Sequence, residues 1–136
     1  MKNHDTNVNA LARMSHINAY SNDGAATKRA FHSKGRAFLR ALAKEIGAAD
    51  FDIRSNQGGI AVSGEVTLHT PRLYVQLSES CVGGGGVGIL FRTCNSKRDY
   101  CGGTNNWSTM ERLRNGEGSL ERFVEACARM EGRTNG

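Results

Sequence analysis

The chain has 136 residues, a formal net charge of +5 and an apolar fraction of 38%. This length fits one domain that buries about two-thirds of its unfolded surface, and no apolar run approaches the ~20 residues of a membrane helix. The polar amino-terminal segment lacks the apolar core of a signal peptide. These features argue against a membrane-spanning or secreted protein, so we expect a soluble cytoplasmic one.

The amino-terminal segment is rich in Asn, Ser and Asp and holds only scattered apolar side chains. A short helix near residues 8–17 is one alternative, but this composition is more typical of a weakly ordered arm. We therefore expect an arm at 1–24, a single domain at 25–132 and a tail at 133–136.

The first firm element is a helix from about residue 25 to residue 46, with Gly47 placed to cap its carboxyl end. Its apolar residues recur at helical spacing and form one stripe that can dock on a core. The stripe consists of Phe31, Phe38, Leu39, Leu42 and Ile46.

This helix carries the whole net positive charge of the chain. Six basic residues and no acidic one lie between Lys28 and Lys44, and Glu45 follows, which gives six minus one, or +5. An ordinary exposed helix mixes both signs, because Glu–Lys pairs stabilise it. The excess is typical of a surface that meets phosphates or an acidic protein face. A solvated helix face with no partner is the alternative, since Lys and Arg are good helix formers.

After this helix the hydrophobic period changes from 3.6 to 2, which indicates β-strands. The alternation predicts strands at about 51–54, 60–68, 73–77 and 87–93. Their close spacing excludes parallel crossovers for the first three, so we expect an antiparallel meander. Gly64 lies on the apolar face of the second strand, where it indicates a bulge or a close backbone approach.

Two helices follow the sheet. Ser108 and Glu111 fit a capping box that opens a short helix through Arg114, and Ser119 can cap a second helix that ends near Gly132. The order α-β-β-β-β-α-α predicts an α+β domain with a four-stranded antiparallel sheet. The basic amphipathic helix at 25–46 and the carboxyl-terminal helices pack on one face of this sheet. The residues expected in the core are Phe31, Phe38, Leu42, Ile46, Ile60, Val62, Val66, Leu73, Val75, Leu77, Ile89, Phe91, Phe123 and Val124.

A second candidate binding segment lies at 92–107, where basic, aromatic and amide side chains alternate on a glycine-rich backbone. The cations suit phosphates and the rings suit stacking on bases. For the single Trp, packing in the core is the alternative. Together with the helix, the candidate partner-binding or nucleic-acid-binding residues are Lys28, Arg29, Arg36, Arg40, Lys44, Arg92, Lys97, Arg98, Tyr100 and Trp107.

Signatures of catalysis and metal binding are weak. The four cysteines include no C-x-x-C pair, so we expect reduced, mostly structural thiols. The alternative is a zinc site at Cys94 and Cys101 together with Cys81 or His69. Glu65, His69 and Asp99 could be drawn into a hydrolytic or nuclease site, but any chain of this size offers such a trio by chance. We expect no catalytic residue, no cofactor and no metal.

Four stretches carry a resemblance to known sequences: 54–69 (RSNQGGIAVSGEVTLH), 73–76 (LYVQ), 92–94 (RTC) and 99–105 (DYCGGTN). They resemble small proteins of bacteriophages, prophages and mobile elements, over roughly residues 28–110. The resemblance implies a genomic context and no mechanism. Small phage proteins of this size often bind a host machine, so we expect non-catalytic inhibition of a host complex that handles nucleic acids, as anti-CRISPR proteins inhibit defence complexes. Direct DNA or RNA binding and a small hydrolase or nuclease are the alternatives.

Overall fold

The computed structural model describes residues 2–14, 24–57, 64–79, 87–99 and 102–132. Within these ranges the protein combines helices with one antiparallel sheet, so the expected α+β class is confirmed. The elements in chain order are α1 (Lys2–Met14), α2 (Gly24–Glu45), β1 (Asp52–Asn56), β2 (Glu65–His69), β3 (Leu73–Glu79), β4 (Val87–Thr93), β5 (Asn106–Thr109), α3 (Met110–Asn115) and α4 (Ser119–Gly132).

The amino-terminal segment forms a helix, not the weakly ordered arm expected there. Helix α1 buries Val8, Leu11 and Ala12, whose i, i+3, i+4 spacing makes an apolar stripe. The helix packs against α2 and α3. A short stripe among polar residues is marginal alone, but neighbouring helices stabilise it by covering it. The rest of the expected arm, at 15–23, and the tail at 133–136 lie outside the described residues.

Helix α2 ends as its sequence predicts. Gly47 adopts a left-handed φ of +76°, and the N–H of Ala48 donates to the carbonyl of Ala43 at 2.9 Å. This arrangement satisfies carbonyls that the helix end leaves without partners. The predicted stripe is confirmed, because Phe31, Phe38, Leu39 and Leu42 are fully buried.

The sheet has five strands in the order β1-β2-β3-β4-β5, and every neighbouring pair is antiparallel. The predicted antiparallel meander is confirmed, but the predicted count of four strands is wrong. The additional strand is β5, which pairs with β4 so that Trp107 lies opposite Leu90. Its four residues contain one large apolar side chain and no alternation, so no period-2 pattern marks them.

The strand register divides the sheet into two faces. On the inner face, Gly35 of α2 lies against Val66, and the Phe123 ring of α4 meets the Phe91 ring with centroids 5.0 Å apart. On the outer face, a row of paired residues crosses all five strands. This row consists of Arg54, Thr67, Gln76, Leu90 and Trp107.

The core lies between the inner face and the helices, as predicted. Ile46 and Phe91 are only partly buried but pack against it, and Ile60 and Val62 lie outside the described residues. The other members of the predicted core are all buried, namely Phe31, Phe38, Leu42, Val66, Leu73, Val75, Leu77, Ile89, Phe123 and Val124.

The carboxyl-terminal helices follow the predicted pattern with one shift. The cap of α3 is Thr109, whose hydroxyl accepts from the N–H of Arg112 at 3.0 Å, so the helix begins one residue later than a Ser108 cap implies. Helix α4 buries its inner face against the core. Among the helices in the described ranges, none is both long and apolar enough to cross a membrane.

Candidate functional site

The strongest candidate site is the exposed side of α2, which we call the basic strip. It consists of Arg29, Arg40 and Lys44, which are exposed, with Lys28 and Arg36 partly exposed at its margin. At 1.5 Å of rise per residue, the strip extends about 22 Å along the helix. Helix α2 has no acidic residue before Glu45. The strip therefore presents cations with no anion of the same helix between them.

His32 and Arg36, beside the basic strip on α2, both contact strand β1. His32 is 1% exposed, and its Nδ1 lies 2.8 Å from the Ser55 hydroxyl oxygen of β1. Arg36 Nη1 donates to the same oxygen at 3.0 Å. Because His32 is buried beneath the helix, we interpret this Ser–His contact as an anchor between α2 and β1, and not as a nucleophile with its base. Arg36 therefore has a structural partner as well as partial exposure.

Two cations of the predicted binding segment at 92–107, Arg92 and Lys97, have partners within the protein. Arg92 is 6% exposed, lies 4.5 Å from the centroid of the Tyr74 ring and donates to the carbonyl of Asp99 at 3.2 Å. Lys97 Nζ pairs with Asp50 at 2.9 Å and with Asp52 at 3.6 Å. The side-chain hydrogen bond from Lys97 to Asp50 is the main cause that raises the pKa of Lys97. Neither cation is free for a partner.

The other candidate residues of that segment differ in their exposure. Arg98 is exposed, and Tyr100 lies outside the described residues. Trp107 is 66% exposed on β5, so the alternative that it packs in the core is wrong. Helix α2 contacts β1 and β2, whereas β5 is the opposite edge strand, about 19 Å away at four strand spacings. The structure therefore does not bring Trp107 and the basic strip onto one surface.

The residues considered for hydrolysis are not assembled into a site. Glu65 and His69 lie at the two ends of β2, about 13 Å apart at the rise of a strand. His69 is 5% exposed, and its Nε2 lies 2.8 Å from the hydroxyl of Thr67. The Asp99 carboxylate accepts from the backbone N–H of Asn95 at 2.9 Å. The geometry gives no support to a catalytic trio made of these residues.

Two of the four cysteines lie in the described ranges, and both are free and buried. Cys94 Sγ is 3.3 Å from the carbonyl oxygen of Thr70, and burial raises the pKa of Cys127 to about 12. Cys81 and Cys101 lie outside the described residues, so the zinc alternative at Cys94 and Cys101 stays a hypothesis. Over the part of the chain that the structure describes, no group of His, Cys, Asp and Glu has the proximity of a metal site.

Two buried histidines link the stability of this scaffold to pH. Burial lowers the pKa of His4, and the nearby Glu45 carboxylate only partly opposes that shift. Both ring nitrogens of His4 are buried without a hydrogen-bond partner among the described residues. Burial is also the main cause that lowers the pKa of His69, with Arg54 acting in the same direction. The fold therefore prefers both rings neutral.

We expect the free energy of unfolding to decrease as the pH falls from about 7 to about 5. An unfolded histidine has a pKa of about 6.5, so below that value the unfolded chain binds protons that the folded chain resists. Urea unfolding across this range measures the effect. His4→Leu should lose less stability than the wild type over the same interval, and an unchanged loss would exclude His4 as a contributor.

Comparisons with family models, with curated proteins and with solved structures found no match for this chain.

Proposed function

We propose that this protein acts by non-catalytic binding, with the basic strip of α2 as its contact surface for an anionic partner. The observation that supports this most directly is the exposure of Arg29, Arg40 and Lys44. None of these three side chains forms a salt bridge with a described residue. Like charges at i, i+4 spacing, such as Arg40 and Lys44, destabilise a helix slightly when it has no partner. An anionic surface removes that cost and steers the encounter.

The specific partner that we propose is a protein or nucleoprotein complex of a bacterial host that handles nucleic acids, including defence complexes. Such complexes display surfaces that hold or imitate phosphates. The resemblance to small phage and prophage proteins supports an inhibitor of this kind, in the manner of anti-CRISPR proteins.

Direct binding of DNA or RNA is the second candidate function, and the same strip favours it. A row of cations on an exposed helix neutralises phosphates regardless of base sequence. Arg92 does not add to this surface because it is buried beside the Tyr74 ring, and the Lys97 ammonium is already paired with Asp50. Binding to bare nucleic acid should therefore depend mainly on α2 and weaken steeply as salt is added.

Capture from a bacterial lysate tests both candidates. The immobilised protein is compared with Arg29→Glu/Arg40→Glu, and each lysate is used with and without nuclease treatment. We expect the wild type to retain a partner and the strip variant to lose it. A partner that survives nuclease treatment supports a protein target, and one that disappears supports direct nucleic-acid binding.

The matched control is Arg112→Glu/Arg114→Glu on α3, where both side chains are exposed. Each variant changes the net charge by four units, from +5 to +1, so only the position of the change differs. Full capture by the strip variant, or equal loss in both variants, would exclude the basic strip as the contact surface.

A further inference from the structure

The two edge strands of the sheet differ in how they are protected. An edge strand turns backbone N–H and C=O groups outward and can pair with another chain, so proteins place charges there to prevent it. In β1, Arg54 pairs with Asp52 at 3.5 Å, and Lys97 lies 3.6 Å from the same carboxylate. Strand β5 has the sequence NWST, which contains no charge.

The unprotected edge also carries the largest exposed apolar side chain of the described residues. Trp107 is 66% exposed on the outer face, where Leu90 of β4 is its cross-strand neighbour. In the described ranges, no strand pairs with β5 on its other side. An uncharged edge beside an exposed aromatic ring is a template for strand addition.

We propose that β5 pairs with β5 of a second copy of this chain, which joins the two sheets into one antiparallel sheet of ten strands. A two-fold axis perpendicular to the sheet can place Trp107 opposite Trp107 of the second copy, with both rings on the outer face. Aromatic cross-strand pairs stabilise antiparallel sheets. This register covers each ring that the monomer leaves exposed.

The distribution of charge is compatible with a second copy at this edge. Two molecules of net charge +5 repel one another, but the basic strip lies on α2, which contacts β1 and β2 at the far side of the sheet. Pairing through β5 therefore keeps the two strips apart. Because β5 has only four residues, the contact is small, and we expect a concentration-dependent dimer instead of a permanent one.

The dimer does not depend on the proposed function, but a dimer would bind an anionic partner more tightly than a monomer. Two basic strips on one particle can bind a repeated or extended anionic surface at two points, which raises the overall affinity without a new contact. The two proposals respond differently to salt. Strand pairing and Trp burial should persist as salt is raised, whereas polyanion binding should weaken.

Sedimentation velocity over about 1 µM to 1 mM tests the proposal. We expect a monomer–dimer equilibrium in the wild type that persists at high salt. Trp107→Lys should weaken it at least about tenfold, because it removes the ring and charges the edge. Asn56→Lys is the matched control, since it adds the same charge at an exposed position of the opposite edge strand.

Amide hydrogen exchange of the wild type gives a second measurement that needs no variant. The amides of β5 should gain protection as the concentration rises, while those of β1 should not. A monomer at every concentration would overturn the proposal, as would a dimer that Trp107→Lys leaves intact or that Asn56→Lys disrupts equally. A monomer whose single Trp is quenched by oligothymidine would assign this edge to single-stranded nucleic acid instead.

Discussion

Phe38→Ala should lower the free energy of unfolding by about 3–5 kcal/mol. Phe38 is fully buried and connects three helices. Its ring centroid lies 5.9 Å from that of His4 on α1 and 6.3 Å from that of Phe123 on α4. Truncation would leave a cavity at the meeting point of these elements, which packed side chains cannot fill without strain.

Urea unfolding measures this loss, and Arg40→Ala is the control on the same helix. Arg40 is exposed, so its truncation should change stability by no more than about 0.5 kcal/mol. A loss below about 1 kcal/mol for Phe38→Ala would mean that this site is not tightly packed and that the register of α2 against the sheet is wrong.

Gly64→Ala should also destabilise the fold strongly, for two separate reasons. Gly64 has a φ of +78°, and a residue with a Cβ pays about 1–2 kcal/mol in that region. In addition, a Cβ here would overlap the backbone carbonyl oxygen of Asn56. Asn56 pairs with Glu65 at the start of the β1–β2 ladder, so the overlap would force the two strands apart.

Gly47→Ala separates these two contributions. Gly47 has a similar φ of +76°, but a Cβ there would have no atom within 4 Å. Its substitution should cost only the conformational part, about 1–2 kcal/mol, and Gly64→Ala should cost clearly more in the same urea experiment. Equal losses would show that the close approach at Gly64 is relieved without disturbing the sheet.

Local patterns in the sequence predict the parts of this fold that have strong periodicity. The change of period after Gly47 marks the transition from α2 to the sheet, and the inner stripe of α4 follows from its spacing. The close approach predicted at Gly64 is confirmed, because a Cβ there would overlap the carbonyl oxygen of Asn56. The predicted position of Gly64 within the second strand is wrong, since β2 begins at Glu65. The sequence predicts helix α1 only as the alternative to a weakly ordered arm, and it does not predict β5. Both have few apolar residues and depend on neighbours that are distant in the sequence.

In the candidate site, too, local patterns predict some features, whereas others depend on contacts between residues that are distant in the sequence. Arg29, Arg40 and Lys44 are exposed because helical geometry alone separates them from the apolar stripe. Sequence spacing does not show which cations find internal partners. Arg36 reaches Ser55, Arg92 covers the Tyr74 ring and Lys97 pairs with Asp50. Each of these contacts joins residues that are distant in the sequence, so only the folded chain identifies them.

The most direct measurement of the basic strip is the salt concentration that elutes each protein from immobilised heparin, a uniform polyanion. Wild type, Arg29→Glu/Arg40→Glu and Arg112→Glu/Arg114→Glu are compared, the two variants having equal net charge. If α2 is the anion-binding surface, the strip variant should elute at clearly lower salt than the control variant. The reason is that only the strip variant loses contacts between α2 cations and the polyanion. Elution of both variants at the same salt would contradict the account, because net charge alone would then explain the binding.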